Sequence, residues 1–315
     1  MATKQHNRRD FIKKSLRVGF GAASSLVLAK TPLLFAQETV PGVPDLVAVK
    51  NNEPDVLFDK AMSLMGGMSR FVKKGQTVVV KPNIGFAKAP EMGATTNPLL
   101  VKSVVEHCIS AGAKKVYVFD NVAASSYGVA HTCYKKSGIE DAAKDRGAIV
   151  APGDHEKYYQ KVDVPGAKNL VSTAVHELIL EADVFINVPV LKNHRYTQFT
   201  CAMKNLMGVV WDRMEYHYTD LEQSIAEFCL FKKPDLNIVD AYRVMLRHGP
   251  QGNGPEDLVL MKTLLVAPDI LAIDTAAAKI FGLEPESIRY LQIGHDLGLG
   301  TTKLADLNIK KFTYT

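Results

Sequence analysis

Cysteine is scarce in this chain: four in 315 residues, spread out at Cys108, Cys133, Cys201 and Cys229. No Cys-x-x-Cys pair occurs, which excludes a local zinc or iron–sulfur clip, and four are too few for a disulfide-dense scaffold. A Walker phosphate loop is absent, and His176-Glu177 lacks the second histidine that a zinc-protease helix requires. Neither a basic stripe nor an aromatic RNA-binding motif is found, so nucleic acid is not an expected partner. Internal repeats and low-complexity linkers are missing as well. With 47% hydrophobic and 23% charged residues, disordered, collagen-like and coiled-coil classes are excluded.

What is present begins with an uneven charge. The formal charge is +5, but residues 1–36 hold seven of the 38 basic residues and one of the 33 acidic ones. A basic segment, a weakly apolar run from Val18 to Leu28 and a small residue at Ala36 make the layout of a secretory signal. The apolar run is too short and too rich in Gly, Ala and Ser to span a bilayer. Arg8-Arg9-Asp10-Phe11-Ile12-Lys13 resembles the twin-arginine signal, which implies the twin-arginine machinery as a partner and a periplasmic or other extracytoplasmic location. Cleavage after Ala36 leaves residues 37–44 as a short linker and a mature chain with a charge near −1. No stable membrane span remains. In an exported chain four cysteines allow three pairings, among which spacing does not choose. On predicted helices Cys108, Cys201 and Cys229 read more simply as buried thiols.

From residue 45 to 315 a single α/β domain is expected, with 121–170 as a candidate insertion or subdomain. Runs rich in β-branched residues recur at 45–50, 77–81, 115–120, 148–151, 184–190, 236–241 and 263–267. Most are apolar on both faces, as strands sandwiched between helix layers are. Helical patterns lie between them, at 55–71, 97–111, 138–146, 172–182, 200–210, 219–231, 268–281 and 286–297. Asn97-Pro98 is a helix start, with an N-cap followed by proline at the first helical position. The alternation predicts a three-layer α/β fold, a mainly parallel sheet with helices on both faces. Met62, Met65 and Met68 form a helical stripe that reads as core.

Ligands of open α/β sheets bind beyond the carboxyl ends of the strands, and the polar residues there are distinctive. Lys81 ends one apolar run, followed by Pro82 and Asn83; an ammonium at the rim of a low-dielectric sheet binds an anion or loses its proton easily. Lys192-Asn193-His194 ends another, and Lys204-Asn205 follows on a helix. Lys81, Lys192 and Lys204 are the expected anion binders, with Asn83, Asn205 and Gly249 beside the substrate. Gly249 lies in the Gly/Pro-dense stretch from His248 to Pro255, where backbone amides can approach a ligand. Lys81 and His194 are the candidate catalytic groups, with His194 an acid/base or a metal ligand. Asp120 and Asp240 are candidate ligands for a divalent cation, Asp240 alternatively an orienting group.

The ordered set Lys81-Pro82-Asn83, Thr95-Thr96-Asn97-Pro98, Gly112-Ala113-Lys114-Lys115-Val116, Ala182-Asp183-Val184, Asn187-Val188-Pro189, Lys192-Asn193-His194, Lys204-Asn205-Leu206-Met207-Gly208, Val239-Asp240-Ala241 and Gly249-Pro250 resembles the domain-of-unknown-function 362 family of prokaryotic proteins. The likeness covers roughly residues 45–310. Some members carry an added ferredoxin-like cysteine cluster, which this chain lacks. The resemblance implies a fold and points to residues; it implies no reaction. The residues themselves favour an exported enzyme handling an anionic small molecule, with a divalent metal as candidate assistant. The alternative is a non-catalytic exported ligand-binding or redox-complex assembly protein.

Overall fold

The computed structural model describes residues 42–122 and 129–315. The proposed signal, residues 1–36, lies outside them. Twelve strands run β1 (Leu46–Lys50), β2 (Thr77–Pro82), β3 (Lys115–Val118), β4 (Ile149–Val150), β5 (Tyr159–Asp163), β6 (Ser172–His176), β7 (Val184–Val188), β8 (Val190–His194), β9 (Gln198–Thr200), β10 (Leu236–Met245), β11 (Leu258–Ala267) and β12 (Ile309–Thr313). The α-helices among the described residues are α1 (Pro54–Leu64), α2 (Pro98–Ser110), α3 (Ala130–Lys136), α4 (Ile139–Lys144), α5 (Glu177–Glu181), α6 (Ala202–Asn205), α7 (Met214–Tyr218), α8 (Leu221–Phe231), α9 (Ile270–Phe281) and α10 (Arg289–Asp296).

Ten strands form one mixed, mostly parallel sheet in the order β12-β1-β11-β10-β7-β2-β3-β4, with β8 on β10 and β9 on β8. The parallel block β10-β7-β2-β3-β4 runs in register, for example Val80 beside Ile186 and Val118. Strands β1 and β11 pair antiparallel, as do β10 and β11. The two-faced apolar runs have their explanation in the layers. Val78 and Val80 pack into one core with Leu57 and Phe58 of α1 and Val101 and Val105 of α2. Val79, one residue out of phase, packs into the other core with Ile225 and Phe228 of α8 and Leu271 of α9. Alternate side chains of a strand point to opposite faces, so a strand covered on both sides must be apolar throughout. Met62, Met65 and Met68 are all core residues.

The expected elements differ from the observed ones in three instructive places. The helix expected at 172–182 is half strand: Ser172–His176 pairs antiparallel with β5, and only Glu177–Glu181 is helical. Thr173 and Val175 favour the pleated surface, and His176 caps the short helix by accepting the Leu178 N–H at 3.1 Å. The run 184–190 is two strands. Pro189 has no N–H for the ladder, and its carbonyl accepts from Asp240 as β8 shifts from β7's place to a position along β10. The run at 236–241 continues to Met245, so β10 is long enough to pair with β7 at its start and with β8 beyond. Within 121–170, α3, α4 and β4 join the main body, β4 as its edge strand.

Helix α6 is only four residues long, too short to be stable alone. It is pinned by Asp274 of α9, a fully buried carboxylate that accepts the Ala202 N–H at 2.6 Å and the Met203 N–H at 3.0 Å. Asp274→Ala leaves two buried amides without an acceptor and is expected to cost about 3 kcal/mol. Urea denaturation checks this, and a loss below about 1 kcal/mol would show that the helix holds itself.

Candidate functional site

The carboxyl end of β2, the segments that follow β2 and β3, the later residues of β8, and α6 converge on one cavity of about 80 Å³. Lys81, Asn83, Lys192, His194, Lys204 and Asn205 all line it, together with Asp120. Gly249 and Asp240 do not.

Lys81 is the next-to-last residue of β2 and is 1% exposed. Its ammonium lies 2.7 Å from Asp120 Oδ1, which follows β3, and donates to Pro82 O at 2.9 Å and Asn205 Oδ1 at 3.0 Å. An ammonium has three donors, and here all three are used. Burial pushes the Lys81 pKa down, Asp120 pulls it back, and burial prevails at about 8. The second oxygen of Asp120 accepts the Ile84 N–H at 2.6 Å, and Tyr134 clamps the Asp120 backbone through both N–H and carbonyl.

Asn205 is held by a chain of buried amides. Its Oδ1 also accepts from Asn83 at 3.0 Å, and its Nδ2 donates to Asn187 Oδ1 at 2.8 Å. Asn187 donates in turn to Asn237 of β10 at 3.0 Å and to Ala202 O at 3.0 Å. Each buried amide is satisfied by the next, which locks β2, β7, β10 and α6 into one geometry. Thr96 adds a stitch, accepting the Asn83 N–H and donating to Val188 O at 2.7 Å.

Two further lysines have only neutral partners. Lys192, in β8, donates to Ala94 O and to Asn83 Oδ1 at 3.2 Å, and its Nζ sits 4.7 Å from the centre of the Phe86 ring. Lys204, in α6 and 7% exposed, has the Met207 thioether at 3.3 Å, a weak acceptor. Burial lowers both to about 7, opposed by Asp120 at Lys192 and by Glu222 at Lys204. Neighbouring cations add to the fall: Lys204 and Lys81 act on Lys192, and Arg213 on Lys204. Arg213 lines the same wall and donates to Asn121 O.

His194 is driven far below its usual range, first by burial and then by Lys204 and Lys192. Its Nδ1 accepts the Tyr196 N–H at 3.2 Å, so the neutral ring carries its proton on Nε2. That makes it a hydrogen-bond donor at rest. The metal-ligand expectation meets a different arrangement. Asp120 is engaged by Lys81 and Ile84, while Asp240 accepts the Asn97 N–H at 2.7 Å and the Tyr242 N–H at 3.0 Å. Burial still raises the Asp240 pKa to about 6 against those two amides. Among the described residues there is no cluster of three or more His, Cys, Asp or Glu groups suited to a metal ion. The four cysteines are buried, and none of them forms a disulfide.

Gly249 approaches the backbone of Asn193 so closely that a Cβ would overlap its carbonyl. Its N–H donates to Asn193 Oδ1 at 3.0 Å, so this amide serves the scaffold, and its neighbour Pro250 reaches the cavity. Sequence reasoning missed Asn237, Phe86, Arg213 and the role of Gly208. An asparagine inside an otherwise apolar strand was a readable signal for the first. Phe86 and Arg213 lie in loops, and Gly208 in a short helical turn after α6, that only the fold brings near.

Residues 78–279 match the domain-of-unknown-function family DUF362. The chain belongs to that family. A curated relative of this DUF362 chain, the thylakoid-associated protein sll1697 of Synechocystis, is 28% identical over 246 residues, covering 76% of this chain and 73% of its own length. Two solved structures are similar to the chain at 12% identity. The lactate racemase apoprotein from Thermoanaerobacterium thermosaccharolyticum has a TM-score of 0.44, covering 73% of this chain, which spans 56% of that one. A structural-genomics protein from Thermotoga maritima has a TM-score of 0.47, covering 74% of this chain, which spans 60% of it.

Gly208 follows α6 and lies directly against the Lys81–Asp120 pair: a Cβ there would overlap the carboxylate and come within 2.6 Å of Lys81 Nζ. Gly208→Ala is therefore expected to part the pair and destabilise the fold by about 2 kcal/mol or more. Urea denaturation reads the change; unaltered stability would mean the pair can shift freely.

Proposed function

We propose that this DUF362 protein is an exported enzyme whose site binds a small anionic molecule. The observation that carries the reading is the pair Lys192 and Lys204: two buried ammonium groups facing one cavity, with only neutral hydrogen-bond partners. Burying a cation without a counter-charge is costly, and a bound anion relieves that cost at both groups. Arg213 and the Nε2–H of His194 add donors suited to carboxylate or phosphate oxygens.

The same arrangement supports proton transfer. With pKa values lowered to about 7, Lys192 and Lys204 are present partly as free amines at neutral pH, able to accept a proton from a bound substrate and return it. Lys81, with every donor used and its charge balanced by Asp120, positions Asn205 and Asp120. The donor-rich, cation-rich lining suits an anionic ligand far better than a metal cation.

Linkage gives the pH dependence its sign. An anion favours the charged lysines and raises their pKa on binding, so affinity is full below pH 7 and falls as pH rises through about 7 to 8. Sulfate, whose charge is constant over this range, is the suitable probe. Calorimetry is expected to show this fall, and a roughly 10- to 100-fold loss of sulfate affinity in Lys192→Met or Lys204→Met. Affinity that is flat with pH and unchanged in both variants would sink the anion site. Turnover is read separately, by incubating the protein with an anionic-metabolite extract in deuterated water and following the spectra. Consumption or deuterium exchange of an anion that disappears in Lys192→Met supports an enzyme, whereas binding without turnover favours the non-catalytic ligand-binding protein.

Export is proposed from the basic residues clustered ahead of the apolar run, with Arg8-Arg9 as the recognised pair. The mature chain in its native host is expected to begin after Ala36 and to accumulate outside the cytoplasm. Arg8→Lys together with Arg9→Lys should leave the full-length chain inside. Mass measurement of the N-terminus checks both, and a wild-type chain that stays whole in the cytoplasm would refute export.

A further inference from the structure

The cavity of the site is small. About 80 Å³ accommodates a phosphate- or carboxylate-sized group, whereas pockets that engulf a drug-sized molecule run to about 300–1,000 Å³. Any substrate larger than its own anionic group must therefore extend through the mouth, and the surface there is not random.

Tyr196, at the tip of the β8–β9 hairpin, is 66% exposed although its neighbours Thr197 and Phe199 are buried. Its ring centre lies 6.0 Å from that of His194 and 5.9 Å, edge-on, from that of His217. Both histidines line the cavity, and both are kept neutral by burial and by Lys204. A neutral imidazole offers a flat, uncharged face. Tyr218, the residue after His217, is 78% exposed. Single exposed aromatics are ordinary, but here three rings in contact lead from the cations outward.

We propose that the ligand has two parts: a phosphate or carboxylate head on Lys192 and Lys204, and a flat aromatic body lying against the Tyr196–His217 shelf. The inference rests on the anion-site reading and names the substrate class for that same site. Tyrosine and histidine present π faces and edges that favour offset or edge-to-face packing with a second ring. The β8–β9 hairpin carries both Lys192, which holds the head, and Tyr196, which meets the body, while Lys204 of α6 and His217 of α7 complete the two parts.

The test compares methyl phosphate with phenyl phosphate, and acetate with phenylacetate, by calorimetry on the full chain. Within whichever pair binds, the phenyl member is expected to bind about tenfold tighter, and the tighter-binding pair identifies the head. Tyr196→Ala should remove most of that preference while leaving methyl phosphate or acetate affinity within about twofold. Tyr196→Phe, which keeps the ring, should retain it. Equal binding of the phenyl and methyl members, or a phenyl preference that survives Tyr196→Ala, overturns the shelf. If none of the four anions binds, or if binding is unaltered in Lys192→Met, the anion site itself fails. The two failures are thus distinguishable.

Discussion

The buried pair of Lys81 and Asp120 is the constraint on which the rest of the site depends. It joins the ends of two neighbouring strands, and neither partner can be removed alone without leaving an uncompensated charge away from water, an expense of about 3–5 kcal/mol. Everything adjoining is fitted to it. Asn205 must come close enough to accept from Lys81, which sets the position of α6. Gly208 must lack a side chain to let the chain pass the carboxylate. Tyr134 must reach the Asp120 backbone. Since the pair neutralises itself, it also leaves Lys192 and Lys204 as the charges available to a ligand.

The chain of amides from Asn83 through Asn205 and Asn187 to Asn237 performs a second task. It carries the geometry of the strand ends across the sheet without adding charge. A carboxylate at any of these places would have offset the neighbouring lysines, while an apolar residue would have left buried donors unmatched. Neutral, fully paired amides keep the site positive and rigid together. Low pKa values at Lys192 and Lys204 follow from the same design: buried cations near one another, with no acid of their own.

Much of this was legible beforehand at the level of elements. Val78, Val79 and Val80 reveal a strand covered on both faces because all three are apolar, and Asn97-Pro98 marks a helix start by local chemistry alone. Lys81, Lys192, His194, Lys204 and Asn205 were readable as candidates because polar groups at the ends of apolar runs fall where an α/β sheet holds its ligands. Ser172–His176 was not, since a five-residue segment rich in β-branched side chains becomes a strand only when β5 lies beside it. Asp240 looked like a partner of the lysines because the apolar run was expected to end there, yet β10 continues to Met245 and the carboxylate turns to the Asn97 and Tyr242 amides.

The sequence by itself therefore determined the layered, mainly parallel sheet, the uneven charge of the first 36 residues and the polar residues destined for the strand ends, because periodicity and composition are local properties of a chain. Only the tertiary structure decided which of those residues meet. That Lys81 pairs with Asp120 while Lys192 and Lys204 face only neutral groups is a matter of distances between segments that only folding brings together. So is the approach of Tyr196 to His217. Charge and ring chemistry were written in the residues; compensation and contact exist only once the strands are side by side.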